Sequence, residues 1–176
     1  MENFSNSIVL PQKLPEIDKT TFNPLDKKQL NITYIRSAIV YFVMTAAYVA
    51  FLFISGENIP KTVSIIIISI LTALVGLSVT FSILAFPRKG YLIREKDISF
   101  QRGLIIYKLT TVPFNRIQHV EVIQGFLPGL FKLSAVKIYT AGGSSSDLFI
   151  SGLPEEVAKS LKAFLSERIS EYKSNS

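Results

Sequence analysis

Two long uncharged stretches dominate the first half of the chain. Residues 37–55 and 62–86 contain no Asp, Glu, Lys, Arg or His, and only residues 56–61 separate them. Nineteen residues, the length of the first stretch, make a helix of about 28 Å, which matches a hydrocarbon core of about 30 Å. The second stretch is slightly longer, and a tilt accommodates it. The pattern predicts a first transmembrane span at 37–55, an external loop at 56–61 and a second span at 62–86.

A soluble protein with these helices in its core is the alternative. Helices that are apolar on every face need a large core or a bilayer around them, and the region after the second stretch, about 90 residues, is too small to cover both. A cleaved signal peptide does not fit, because the first apolar run starts at residue 37 after a charged segment.

The region before the hairpin divides in two. Residues 1–24 contain three prolines and no sustained periodicity, which predicts a flexible tail. Residues 25–36 interleave apolar and charged side chains, with Asp26 placed to cap a helix. This juxtamembrane segment either lies along the membrane interface or forms the polar start of the first span.

Small residues recur on one face of the second span. They lie at Ser69, Ala73, Gly76 and Thr80, and the first span offers Ala46 and Ala50. Small residues let helices approach closely in lipid, so this stripe predicts packing of the two spans on each other or, alternatively, association of two hairpins. A channel or transporter is not favoured, because neither span carries an ionisable side chain.

From Arg88 onward the pattern changes to alternation with a period of two. It predicts short strands at 91–94, 98–100, 104–112, 117–124, 133–140 and 146–150. A helix follows, with Pro154 at its first position and an apolar stripe from Val157 to Ile169. The expected domain, residues 88–173, is an antiparallel sheet of six or seven strands closed by a helix.

Positive charge is concentrated where the chain leaves the second span. Residues 88–140 hold nine Lys and Arg against three acidic residues, and this net +6 equals the net charge of the whole chain. Basic residues flanking the spans predict that both termini are cytoplasmic and that residues 56–61 lie outside. The chain has no cysteine, so disulfides and thiolate metal sites are excluded.

Several short motifs in this domain are distinctive in combination. They are Val112-Pro113, Asn115-Arg116-Ile117-Gln118-His119-Val120, Ile138-Tyr139-Thr140-Ala141-Gly142-Gly143 and Ile150-Ser151-Gly152-Leu153. With the preceding two-helix hairpin, the domain resembles the bacterial membrane-flanked pleckstrin-homology-like family, the YdbS-like proteins. The resemblance implies a bent antiparallel sheet of about seven strands capped by the C-terminal helix. It also implies a non-enzymatic role at the bacterial cytoplasmic (inner) membrane, without a ligand or cofactor. Lys132 departs from the pattern, since a glycine is expected there, and residues 133–134 should then follow a slightly different turn.

Residues with catalytic potential are few. His119 is the only histidine and has Glu121 as its nearest acid, which predicts an exposed edge-strand histidine rather than a base or metal ligand. Residues 144–147, three serines and an aspartate, predict a polar hairpin turn. Arg116 is expected to pair with a carboxylate such as Glu121 or to bind a ligand. No catalytic residue, metal site or cofactor is predicted.

Five basic residues near the second span are the predicted lipid-facing set: Arg88, Lys89, Arg94, Lys96 and Arg102. Each basic residue near a membrane contributes about 1 kcal/mol of attraction to anionic lipid. The alternative is that Arg88 and Lys89 only set topology and that the others are solvated strand-edge charges.

An apolar connection follows the strand predicted at 117–124. Phe126 and Leu127 are predicted to contact a partner or the membrane, whereas Leu130, Phe131 and Leu133 are expected in the core.

These observations predict a non-enzymatic membrane-anchored interaction module. It would bind a protein partner or its own copies, with its basic residues facing the anionic lipid bilayer. The alternative is an accessory subunit of an envelope-stress or export complex, with specific contacts made by the hairpin. Nucleic-acid binding is not favoured, because no recognition helix or pair of stacking strand aromatics is present, and no small-molecule substrate is evident.

Overall fold

The computed structural model describes residues 21–55, 60–142 and 147–174. Its helices and strands are β1 (Asn23–Pro24), α1 (Lys28–Ser55), α2 (Lys61–Ala85), β2 (Gly90–Ile93), β3 (Asp97–Arg102), β4 (Lys108–Pro113), β5 (Ile117–Ile123), α3 (Phe126–Leu130), β6 (Leu133–Thr140), β7 (Leu148–Pro154) and α4 (Glu155–Ser174). Most of the predicted tail, most of the external loop and the three serines of the predicted turn lie outside the described residues.

The helices α1 and α2 are long and apolar enough to cross a membrane, and no residue in the most apolar window of either helix is buried. Helix α1 runs without a break from Lys28 to Ser55. Residues 28–36 therefore form the polar start of the first span's helix rather than a separate interfacial segment.

Hydroxyl groups join the two long helices. The Tyr48 hydroxyl donates to Ser64 Oγ over 2.9 Å, and the Tyr41 hydroxyl lies 3.1 Å from Thr72 Oγ1. The predicted packing through small residues is wrong, because that stripe faces away from α1. A Cβ atom built on Gly76 meets nothing within 4 Å. All the residues of the stripe are exposed: Ser69, Ala73, Gly76 and Thr80, together with Ala46 and Ala50.

The strands form two antiparallel sheets that meet around the C-terminal helix. One sheet has the order β1-β2-β3-β4 and the other β5-β6-β7. Helix α4 packs on β5, β6 and β7. The predicted fold class, a transmembrane hairpin followed by a pleckstrin-homology-like domain, is confirmed.

The core lies between α4 and the sheets. Of the apolar stripe predicted on this helix, Leu161, Leu165 and Ile169 are buried, whereas Val157 is 37% exposed and the neighbouring Ala158 is buried instead. The buried helix residues pack in one cluster with strand residues such as Val136, Ile138 and Ile150. Phe114 is 1% exposed and meets Phe164 edge-on at a centroid distance of 6.1 Å. Burial of each large apolar side chain contributes about 1.5–3 kcal/mol.

The domain holds the membrane hairpin where the chain enters α1 and where it leaves α2. Pro24 pairs with Gly90, so β1 lies beside the strand that follows α2. Leu25 is buried in the domain core, and the Asp26 N–H donates to the Gly152 carbonyl over 3.0 Å. A Cβ atom on Gly90 would lie 2.9 Å from Phe22 Cβ, so this contact requires glycine.

Four local predictions differ from the structure. Strand β7 runs to Pro154, which was predicted to be the first residue of the helix, and that helix begins at Glu155. Strand β4 starts at Lys108 rather than at residue 104, and residues 126–130 form the short helix α3. Leu130 is 65% exposed instead of lying in the core, because α3 turns it outward, whereas Leu133 is buried as expected. Lys132 has a φ of 54°, the one positive value at a non-glycine residue in the described ranges. The glycine expected at this position would adopt that left-handed conformation without strain.

Candidate membrane-facing site

The loop between β3 and β4, residues 103–107, carries an exposed apolar tip. Gly103 turns the chain with a φ of 119°, and a Cβ atom there would lie 1.8 Å from the Ile106 carbonyl oxygen. Only glycine fits at this position. Beyond it, Ile105 and Ile106 are each 80% exposed and Tyr107 is 61% exposed. The β3–β4 loop thus presents three large side chains to its surroundings.

This loop lies beside the last turns of α2. The Arg88 guanidinium donates a hydrogen bond from Nη1 to the Leu104 carbonyl over 3.1 Å. Between the loop and the helix lies a groove of about 600 Å³, hereafter the α2 groove. Its apolar walls are Phe81 and Ala85 from α2 and residues 104–106 from the loop.

Three cations line the α2 groove: Lys89, Arg102 and Lys108. Arg102 and Lys108 are direct neighbours across the last rung of the β3–β4 pair, where like charges destabilise a hairpin in water. None of the groove's lining residues is acidic. Within the described part of the chain, none of the three cations forms an ion pair. The groove therefore combines apolar walls with positive charge that has no counter-ion among the residues the structure describes.

The predicted lipid-facing residues fall into two groups. Lys89 and Arg102 line the groove, and Arg88 holds its loop. Arg94 and Lys96 lie at the turn end of the β2–β3 hairpin, where Arg94 is five residues of extended chain, or about 16 Å, from Lys89. There, Arg94 Nε lies 2.8 Å from Asp97 Oδ1.

Sequence reasoning missed Lys108 and the two isoleucines of the loop. Residues 104–112 alternate well enough to predict one strand, so Ile105 and Ile106 were not predicted to lie in a loop. The signal that was available is Gly103, followed by four consecutive large apolar residues at a chain reversal.

Phe126 and Leu127 lie elsewhere, on α3 beside α1. Phe126 is 83% exposed and Leu127 is half-buried. Neither lines the α2 groove. Their predicted contact with a partner or the membrane stays a prediction for this second apolar site.

His119 is exposed on β5 and stacks on Tyr139 with a centroid distance of 4.1 Å. Glu121 accepts a hydrogen bond from the Tyr139 hydroxyl over 2.9 Å and lies 3.7 Å from His119, so the pair expected with Arg116 is not formed. A hydrogen bond with Tyr139 raises the pKa of Lys137. Among the described residues, no group of three His, Cys, Asp or Glu side chains could hold a metal ion.

A comparison with protein families places this architecture. The family model described as the bacterial PH domain matches residues 35–169. The chain belongs to the bacterial PH domain family. Because the match begins at the first span, it covers both the hairpin and the PH-like domain.

Two relatives of this bacterial PH domain protein come from Bacillus subtilis (strain 168). UPF0699 transmembrane protein YdbT is 29% identical over 85 residues, which cover 48% of this chain and 17% of the relative. UPF0699 transmembrane protein YdbS is 39% identical over 51 residues, which cover 29% of this chain and 32% of the relative. The chain thus matches less than a third of each relative's length. No solved structure matches it. The resemblance to YdbS-like proteins is confirmed, and α1 and α2 are transmembrane helices.

Proposed function

We propose that this bacterial PH domain protein is a non-enzymatic interaction module anchored in the bacterial inner membrane, with both termini in the cytoplasm. Its PH-like domain faces anionic lipid through the α2 groove and binds a protein partner or a second copy. The supporting observation is that Lys89, Arg102 and Lys108 meet at the end of a transmembrane helix without a carboxylate. Lipid phosphates adjacent to that helix supply the missing negative charge, at about 1 kcal/mol per basic residue.

A partner surface is available on the outer face of β5, β6 and β7. Phe149 is 47% exposed there and lies opposite Lys137 on the neighbouring strand. The stacked pair of His119 and Tyr139 belongs to the same sheet. Exposed aromatic side chains are enriched at protein interfaces, so we assign the protein contact to this face.

Lipid retention tests the electrostatic part. The full chain is reconstituted in nanodiscs of mixed phosphatidylglycerol and phosphatidylcholine, and native mass spectrometry counts the lipids that remain bound. The wild type should retain phosphatidylglycerol preferentially, and the double change Arg102→Glu and Lys108→Glu should abolish the preference. The control, Lys96→Glu with Lys162→Glu, changes the net charge by the same amount at positions outside the groove. It should keep the preference for phosphatidylglycerol. Equal losses in both variants would reject the groove as the lipid contact.

One observation favours the second candidate, an accessory subunit that binds its complex through the hairpin. The stripe around Ala73 and Gly76 faces away from α1 and has no partner within the chain's described residues. A photoreactive residue at Ala73 or at Phe149, introduced in intact cells, separates the two functions. A discrete adduct from position 73, lost with Gly76→Leu, supports the hairpin, whereas an adduct from position 149 alone supports the sheet.

A further inference from the structure

The β3–β4 loop exposes more apolar surface than a loop in water normally does. Leu104, Ile105, Ile106 and Tyr107 are consecutive, and the two isoleucines keep 80% of their surface accessible. Contiguous exposed apolar residues mark membrane or protein contacts. Another molecule is therefore expected to cover this apolar surface, and the position of the loop indicates which one.

The loop is tied to the end of the transmembrane helix α2. Arg88, three residues after the end of α2, holds the Leu104 carbonyl. Phe81 and Ser82, inside the transmembrane helix, line the same groove as the loop isoleucines. The uncharged stretch of α2 continues through Phe86 and is followed by charged residues. The last turns of α2 therefore lie at the level where acyl chains meet headgroups. Side chains that share a groove with them lie at that level too.

The polar groups of the loop lie behind its apolar tip, which is the arrangement expected at a membrane interface. Arg102 and Lys108 flank the loop where it joins its strands, one or more residues behind the isoleucines. Tyr107 has an apolar ring, and its hydroxyl donates to Gln101 Oε1 over 3.4 Å. Tyrosine is enriched where one end of a side chain is apolar and the other is hydrated.

We propose that the β3–β4 loop inserts into the bilayer leaflet on the domain side, next to α2. The occupant of its apolar surface is phospholipid: acyl chains cover Ile105 and Ile106 and fill the α2 groove, and phosphates bind Lys89, Arg102 and Lys108. This deepens the proposed function and rests on it for the phosphate contacts. The insertion itself depends on the apolar side chains and is measured separately.

Depth measurements on the full chain test the insertion. Because the protein has no cysteine, Ile106→Cys gives a single attachment site for a fluorophore. The labelled chain is placed in nanodiscs of phosphatidylcholine alone or mixed with phosphatidylglycerol. We expect quenching by doxyl-labelled acyl chains and protection from aqueous iodide in both bilayers. The same label at Lys96→Cys, in the far turn, should show the opposite.

The outcomes distinguish the insertion from the electrostatic part of the proposed function. Insertion in both bilayers without preferential retention of phosphatidylglycerol would support the loop and reject the charge contact. Retention of phosphatidylglycerol with iodide reaching position 106 as readily as position 96 would reject the insertion alone. Protection from both quenchers would also overturn it, because protein rather than lipid would then cover the loop. Ile105→Ser together with Ile106→Ser tests the apolar driving force in a chain labelled at Tyr107→Cys, where we expect acyl-chain quenching to fall and iodide quenching to rise.

Discussion

The guanidinium of Arg88 donates a hydrogen bond to the carbonyl oxygen of Leu104 over 3.1 Å and thereby ties the end of α2 to the β3–β4 loop. Arg88→Ala should release the loop, since a hydrogen bond of this kind contributes about 0.5–1.5 kcal/mol. Amide hydrogen exchange at residues 103–107 should then accelerate about two- to tenfold. Lys96→Ala serves as the control. Unchanged exchange in Arg88→Ala would show that the loop is held by other contacts.

A hydrogen bond between a buried serine and an exposed threonine links β3 to β4. Ser99 is 1% exposed, and its Oγ lies 2.8 Å from Thr111 Oγ1. Thr111→Val leaves the serine hydroxyl unpaired and should lower the free energy of unfolding by about 1–3 kcal/mol. The double variant, Thr111→Val with Ser99→Ala, should lose less free energy of unfolding than the sum of the losses in the two single variants. Denaturation of the four proteins in detergent measures the cycle, and strict additivity would contradict a coupling between the hydroxyls.

Replacing Lys132 by the glycine that the family pattern favours should stabilise the protein. Its φ of 54° costs a residue with a side chain about 1–2 kcal/mol, while glycine adds about 0.5–1 kcal/mol of backbone entropy. Lys132→Gly is therefore expected to raise the free energy of unfolding by up to about 1.5 kcal/mol. Lys132→Ala keeps the strain and should give no gain. Equal stability of both variants would indicate that the backbone is not strained here.

The hydroxyl contacts between the transmembrane helices should stabilise the hairpin modestly. Tyr48→Phe removes the 2.9 Å bond to Ser64 Oγ, and such bonds average about 0.6 kcal/mol in membranes. A fluorescence measurement of the equilibrium between packed and separated α1 and α2 in micelles would give the free energy lost with this hydrogen bond. Leu77→Ala, at a position 68% exposed, should have a smaller effect. A larger effect at Leu77 would contradict a helix contact on the face that carries Ser64.

Glu155 makes stability depend on pH at the acidic end. The hydrogen bond from Lys159, and then that from Gln124, lower the pKa of this carboxyl from its ordinary 4.5. A lowered folded-state pKa means that the contribution is complete above pH 4.5 and disappears as the pH falls through the folded-state value. The difference in melting temperature between wild type and Glu155→Gln should therefore shrink on acidification. A difference that is constant with pH would contradict this assignment.

Sequence periodicity predicted the elements whose pattern is strong and local. Both spans, the strands at 117–124 and 133–140 and the stripe of α4 follow from the spacing of apolar residues. The spans' contact face did not follow, because a helix that is apolar all round has no face that points to its partner. The tyrosine hydroxyls at positions 41 and 48 were the better guide, since polar groups in lipid require a donor or acceptor.

The α2 groove could be predicted only in part. Lys89 and Arg102 were found from their closeness to the second span along the chain. Lys108 joins them through the pairing of β3 with β4, which is not a local property of the sequence. The apolar run after Gly103 fits a strand that starts at residue 104 as well as a loop. The left-handed φ at Gly103 decides between them and is visible only in the structure.

The pairing of Pro24 with Gly90 has a mechanical consequence. The chain enters one transmembrane helix and leaves the other from adjacent strands of the same sheet, without a flexible stalk. These short connections should restrict pivoting of the domain on its anchor. When a thicker or thinner bilayer changes the tilt of the helices, the sheet should rotate with them, and its outer face should turn toward or away from the lipid surface.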